Sequence, residues 1–360
     1  MTTLTDRRAP WIDVHGHAGR CFLGGLESGH PLLALLGPVT THDAFNSMRA
    51  GCVTAASVAT VADLAVLGVD SSGGLRADRP FGPGEARADH DRQLQGITGL
   101  IAEAGIAMAL TAADIERAHH EGHTAAILCC EGADFCDGDL EALGAAHGAG
   151  VRSIGLVHYR VNELGDIQTE TPQHGGLSSF GADVVHEMNR LRMVIDLAHA
   201  TFETTIGALE ISGQPTMISH SHLAPDGGGH PRLLSEGHAR AVVDAGGLVG
   251  AWPSGVVLRS LEEFAAEIAR MVDLLGVGHV AVGTDMDANY LPRVGSLRPV
   301  PRPRCRPRVP GVRSHRTRRG ARRQLPRLVP HRLRMTVPHR CDRSPGSRLD
   351  ETNPQSPWRS

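Results

Sequence analysis

Apolar residues cluster along the chain in short runs separated by longer amphipathic or polar stretches. Eight such runs recur: WIDV (11–14), CVTAASVAT (52–60), AAILCC (125–130), SIGLV (153–157), MVIDLA (193–198), TMIS (216–219), GLVGAW (247–252) and HVAVG (279–283). They are short, rich in small and β-branched residues, and do not alternate with polar positions, as expected of strands buried on both faces in a parallel sheet. Helical spacing appears between them. Residues 91–105 place Leu94, Ile97 and Ile101 on one face and stop at a glycine. Residues 178–192 open on a serine cap and bury Val184, Val185, Met188 and Leu191. Residues 260–276 offer Leu261, Phe264, Ile268, Met271, Val272 and Leu275, with glutamates in the first turn. Eight strands alternating with helices predict an α/β fold, a (β/α)8 TIM-type barrel, with a doubly wound sheet as the alternative.

The pattern ends near residue 292, and charge marks the same boundary. Residues 293–360 hold 19 of the 36 basic residues against three acids, Asp342, Asp350 and Glu351, whereas residues 1–292 hold 17 bases and 36 acids. The net charge of −3 therefore averages an acidic globular part and a cationic tail. Every base is arginine, and 11 of the 22 prolines lie in the tail. The domain reading is a barrel over 1–292, lacking its last helix, and a non-globular Arg/Pro-rich tail over 293–360.

Three origins suit that tail: a basic arm for nucleic acid, a disordered extension, or a shifted reading frame in a GC-rich gene. The last is favoured. Codons for Arg-Arg-Gln-Leu-Pro-Arg (322–327), read one base over, can encode Gly-Gly-Asn-Phe-Leu-Ala. The N-terminus has no apolar signal-peptide region and no run spans a bilayer, so a cytoplasmic location away from membranes is expected. The seven cysteines follow no zinc-knuckle spacing, and the adjacent Cys129 and Cys130 read as core packing.

The residues at the ends of these strands carry the chemistry. WIDV leads into His15 and His17, AAILCC into Glu131, SIGLV into His158, MVIDLA into His199, TMIS into His220 and HVAVG into Asp285. In a parallel barrel these strand ends meet on one rim. Imidazoles and a carboxylate suit zinc or another divalent metal. His15 and His17 point the same way from one strand, and a glutamate has two oxygens with which to bridge two ions. Such a pair lowers the pKa of a water toward about 7 and stabilises the oxyanion of a tetrahedral intermediate. A rim aspartate can shuttle the proton.

Four stretches make the pattern specific: TAADIERAHHEGHTAAILCCEG (111–132), GVRSIGLVH (150–158), GLSSFGADVVHEMNRLRMVIDLAHA (176–200) and HVAVGTDMD (279–287). Together with DVHGH and ISHSH they resemble the membrane (renal) dipeptidase family of zinc peptidases, within the metal-dependent hydrolases, over roughly residues 11–290. The resemblance implies two Zn2+ ions, with His15 and His17 on one, His199 and His220 on the other, and Glu131 bridging. It implies His158 as the group polarising the scissile carbonyl, Asp285 as proton shuttle, and Arg232 as the contact for a substrate carboxylate. The implied activity is hydrolysis of dipeptides or similar small amides, and the implied assembly a homodimer. A deacylase or lactonase of the same superfamily is the rival; nucleic acid is not the expected partner. Two departures stand out: the family usually has aspartate where this chain has His17, and a small residue at His222.

Overall fold

The computed structural model describes residues 9–288, apart from 24, 25, 27, 28, 31, 34–39, 70–73, 226 and 227. The described strands are, in chain order, β1 (Ile12–Asp13), β2 (Ala55–Val61), the hairpin strands β3 (Leu67–Val69) and β4 (Leu75–Ala77), β5 (Ala107–Met108), β6 (Ala125–Glu131), β7 (Val151–Gly155), β8 (Val194–Asp196), β9 (Met217–Ser221), β10 (Leu248–Ala251) and β11 (Val280–Val282). The helices are α1 (Thr41–Ala50), α2 (Glu85–Glu103), α3 (Ala112–Glu121), α4 (Glu141–Gly148), α5 (Ser179–Leu191), α6 (Phe202–Ile211), α7 (Glu236–Asp244) and α8 (Leu261–Leu275).

Eight strands run side by side in the order β1-β2-β6-β7-β8-β9-β10-β11, all paired in parallel. The ends of this row meet. The Val14 amide donates to the Val282 carbonyl at 3.0 Å and the His17 amide to the Met286 carbonyl at 2.9 Å. That closure makes the fold a TIM-type barrel and removes the doubly wound alternative, which would leave two open edges. Each of the eight apolar runs contributes one barrel strand. Short β5 pairs with the first residues of β6, beside the stretch that β7 occupies further along.

The core explains the lack of alternation in the sequence. One set of side chains fills the barrel and the other meets the helices, so both must be apolar. Val58, Leu128, Ile154, Ile195, Ile218 and Val249 are all at most 1% exposed. Truncating one of them, Ile154 for example, costs about 2–5 kcal/mol through lost burial and a cavity. Cys129 and Cys130 are buried thiols in this core, as their position in an apolar run implied.

Helix caps follow the sequence closely. The Ser178 hydroxyl accepts from the Gly181 amide at 3.0 Å to start α5, and the Ser260 hydroxyl accepts from Glu263 at 3.2 Å to start α8. Two details depart from the expectation. α2 begins at Glu85 rather than residue 91, because Arg79 and the Gly82 amide hold Glu85 at the helix entrance. Its first two turns are polar and leave no apolar period to read. Leu261 is 46% exposed instead of packed, since it opens α8 one turn before the buried stripe of Phe264, Met271 and Leu275.

Among the described residues, no helix is long and apolar enough to cross a membrane. The expected Arg/Pro-rich tail, 293–360, lies outside the described residues.

Candidate metal centre

The strand C-terminal ends converge as the barrel requires, and Glu131 stands at their centre. One of its oxygens, Oε1, lies 3.0 Å from His199 Nε2, 3.4 Å from His15 Nε2 and 3.5 Å from His220 Nε2. The other, Oε2, lies 3.2 Å from His17 Nε2 and 3.4 Å from His158 Nε2. Two groups able to hold a metal ion result: His15, His17 and Glu131, and Glu131, His199 and His220, each with its ligand atoms within 4.8 Å of one another. All five residues are buried.

Local geometry aims these rings. His17 Nδ1 lies 3.2 Å from the Ala59 carbonyl, and His220 Nδ1 lies 2.9 Å from the Ser219 hydroxyl. Both contacts leave Nε2 directed into the site, the way outer partners orient metal-binding histidines. His199 and Asp285 have positive φ, 69° and 51°. For such residues that conformation costs on the order of 1 kcal/mol or more, and it concentrates at functional positions.

The donor set fits metal better than it fits itself. His15 Nε2 and His17 Nε2 are buried without a hydrogen-bond partner, although each makes a longer charge contact to Glu131. His199 Nε2 and His220 Nε2 face each other at 3.2 Å. Two imidazole nitrogens at that distance can share one proton at most, whereas a cation satisfies both lone pairs.

Electrostatics agree. Burial, reinforced by the Arg232 guanidinium, holds His199 well below the usual imidazole pKa; burial and a nearby charged His15 do the same for His220. Both are therefore neutral, the form that ligates. Burial opposes charge on His15, but Glu131, with Asp285 and Asp196, overrides it and lifts His15 to about 9. Ligation there must displace a proton. Burial pushes Asp285 above the usual carboxylate range, with His17 opposing and Glu131 reinforcing the shift.

Around this centre sit the remaining candidates. Asp285 Oδ1 is 3.5 Å from His17 Nε2, and its Oδ2 accepts from the Trp252 indole at 3.2 Å. Arg232 is 1% exposed, with Nη1 donating to Gln168 Oε1 at 2.6 Å and Nη2 at 3.1 Å from His220 Nε2. Its guanidinium lies 5.5 Å over the Trp252 ring, and its Nε is unpartnered. No carboxylate pairs with it in these contacts, so a buried cation is left available to an anionic group. Asp287 takes a structural part: it accepts from the Gly19 amide at 2.7 Å and secures the loop after β1.

His222 is buried with both ring nitrogens unpartnered, yet it belongs to neither metal-capable group among the described residues. Burial, with Arg270 and Arg232, pushes it down to about 4, so it stays neutral.

One residue that the strand-end reading passed over is Asp63, fully buried two positions beyond β2. Its Oδ1 lies 2.7 Å from His158 Nδ1 and its Oδ2 accepts from the Tyr159 amide at 2.9 Å. Reading that strand as ending at Thr60 hid it; extending the run through Val61 and Ala62 makes Asp63 its terminal polar residue. Gln168 and Trp252 carried no comparable signal, because a glutamine in a loop and a tryptophan at a strand end are common.

The family profile of the membrane dipeptidases (peptidase family M19) matches residues 41–295. The chain belongs to the membrane dipeptidase family. It is thereby a member of a metallopeptidase family whose hydrolase chemistry agrees with the donor set found here. An uncharacterised protein of Klebsiella pneumoniae is 31% identical over 231 residues, covering 59% of this chain and 84% of that protein. Dipeptidase aclJ of Aspergillus oryzae is 32% identical over 180 residues, 47% of this chain. The match spans only 42% of aclJ's length. Among solved structures, a Rhodobacter sphaeroides metallopeptidase liganded with a phosphinate mimic of the dipeptide L-Ala-D-Ala superimposes with a TM-score of 0.61 at 20% identity, covering 79% of this chain and 87% of that one. The probable dipeptidase PvdM of Pseudomonas aeruginosa gives a TM-score of 0.60 at 18% identity, covering 77% and 84%. These two share the barrel.

Proposed function

We propose that this family member hydrolyses dipeptides or similar small amides with two zinc ions, one held by His15 and His17, the other by His199 and His220, and Glu131 shared between them. The observation that carries the reading is the single carboxylate, Glu131, common to two three-residue ligand groups. When bound, such a metal pair supplies a water of lowered pKa and polarises the carbonyl oxygen.

The chain's own groups do the rest. His158, tethered by Asp63, points Nε2 into the site and would donate to the oxygen that gains charge as the carbonyl becomes tetrahedral. Asp285 is buried beside His17 and fixed by Trp252. Its raised proton affinity suits it to take a proton from the attacking water and return it to the leaving amine. Arg232 would hold the carboxylate of the leaving residue, fixing the scissile bond over Glu131. His17 in place of a carboxylate makes its metal group richer in nitrogen and less negative, which favours borderline metals such as zinc over hard ones such as magnesium.

The barrel and its site occupy residues 1–292 in this reading, and the cationic segment beyond 293 takes no part in the chemistry. A panel of dipeptides, N-acyl amino acids and lactones offered to zinc-loaded protein tests the proposal. Dipeptides should be cleaved best; turnover confined to lactones or acylated substrates would move the assignment to the deacylase or lactonase class.

A further inference from the structure

Around the ring of eight strands, β2 and β9 lie four places apart, so the loops that come after them face each other across the barrel mouth. The β9 side is the polar one, because Arg232 lies beyond β9 and reaches His220 and Trp252. The β2 side is built differently. Val61 ends β2, Leu64 comes next in a short 3-10 turn, and Leu67 and Leu75 come from the β3–β4 hairpin, where Val69 pairs with Leu75. Phe22 and Leu32, from the loop after β1, complete this wall. All six face the same cavity as Glu131, His158, His199, His220 and Asp285.

The wall is no extension of the barrel core. Phe22, Leu32, Val61, Leu64 and Leu67 form their own hydrophobic cluster, each at most 5% exposed, with Leu75 packed at its margin. Phe22 also meets the His17 ring edge-on at 5.0 Å, so the cluster begins at the first metal group and runs outward. A wall of six large apolar side chains beside these buried polar groups, two of them from the hairpin, excludes water there and offers contact only to an apolar group.

We propose that this wall is the subsite for the acyl side of the scissile amide, and that it selects substrates bearing a bulky apolar group next to the reacting carbonyl. The inference rests on the dipeptidase reading and deepens it. With the leaving residue's carboxylate drawn toward Arg232, the bond crosses Glu131 and the acyl side points at the opposite loop. The apolar group has two sources: the side chain of a dipeptide's first residue, or the chain of an N-acyl amino acid. Both present the same hydrocarbon to the same wall.

The test uses the full, zinc-loaded chain and phosphinate dipeptide mimics that differ only in the acyl-side substituent, methyl against isobutyl or benzyl. Calorimetry measures binding without requiring turnover. The bulky mimics should bind at least about tenfold tighter, from the extra apolar area buried. In Leu67→Asn and, independently, Leu75→Asn that advantage should shrink severalfold, with circular dichroism confirming the fold; Leu75 is only partly buried and tolerates the change better. Equal affinity for small and bulky mimics overturns the subsite while leaving the dipeptidase reading intact. An advantage undiminished in both variants does the same. Failure of every mimic to bind removes the dipeptidase reading and this proposal with it. Faster cleavage of a leucyl dipeptide than of its glycyl counterpart, or of a hexanoyl than of an acetyl amino acid, supports the subsite and says which source it serves.

Discussion

Asp63 Oδ1 lies 2.7 Å from Nδ1 of His158, and its other oxygen accepts from the amide of Tyr159. One buried carboxylate thus fixes both the ring of His158, which would face the scissile carbonyl, and the backbone of the residue that follows it. In Asp63→Asn the side chain has a single oxygen, so either the Tyr159 amide loses its acceptor or His158 Nδ1 faces an amide N–H and must give up its own proton and its carboxylate partner. The expected result is a fall in kcat of roughly 10–100-fold with KM changed much less, since the lost interaction orients a group needed in the transition state. Steady-state kinetics on folded variant checks this; unchanged kcat would show that His158 needs no tether.

Arg232 is placed by its stacking on Trp252 as well as by its charge. Arg232→Met keeps much of the apolar contact and removes the cation. Dipeptides should lose about 10–100-fold in kcat/KM, the worth of a charge-assisted hydrogen bond, whereas dipeptide amides, which lack the carboxylate, should be cleaved equally by both proteins. Parallel losses for acids and amides would assign Arg232 a purely structural part.

Two buried histidines outside the two metal-capable groups set an acid limit on stability. Burial pushes both His90 and His238 down to about 4 from the usual 6.5. His90 stacks on Phe135 at 3.9 Å, and His238 Nε2 lies 2.8 Å from the Thr205 hydroxyl. Between pH 6.5 and 4 the unfolded chain binds protons that the folded chain refuses, so stability falls as pH falls through that window. Each contributes on the order of 1–3 kcal/mol above it. Melting curves between about pH 7 and 4 should show the decline, and a His238→Gln variant should show a shallower one; identical slopes would contradict the assignment.

The cationic segment from 293 has a check at the level of the gene. Retranslating its DNA one base over, from near codon 293, should give an amphipathic helix and then a Gly-Gly-Asn segment. An alternative frame without either feature would end that reading.

The barrel was legible because doubly buried strands leave unbroken apolar runs, and each of the eight became a strand of the closed sheet. The rim groups were legible for a related reason: a histidine or glutamate directly after such a run has nowhere to point but the rim. Polar first turns, as in α2, carry no such period. Asp63 was hidden by a strand drawn short of its true end. Arg232 was reached only through the family resemblance, since its burial depends on Trp252 and Gln168, which lie 20 and 64 residues away in sequence and meet it only in the folded barrel. The apolar wall was invisible in the sequence because its residues read like ordinary core; only the hairpin's placement over the cavity gives them a role.

Metal stoichiometry tests the central claim most directly. Protein loaded with zinc, freed of excess metal and assayed by plasma mass spectrometry should hold two equivalents per chain. His199→Ala should hold one, and Glu131→Gln should bind both ions more weakly, because it removes the one carboxylate the two groups share. A single equivalent in the parent protein, or two retained with undiminished affinity in Glu131→Gln, would contradict a dinuclear centre built on Glu131.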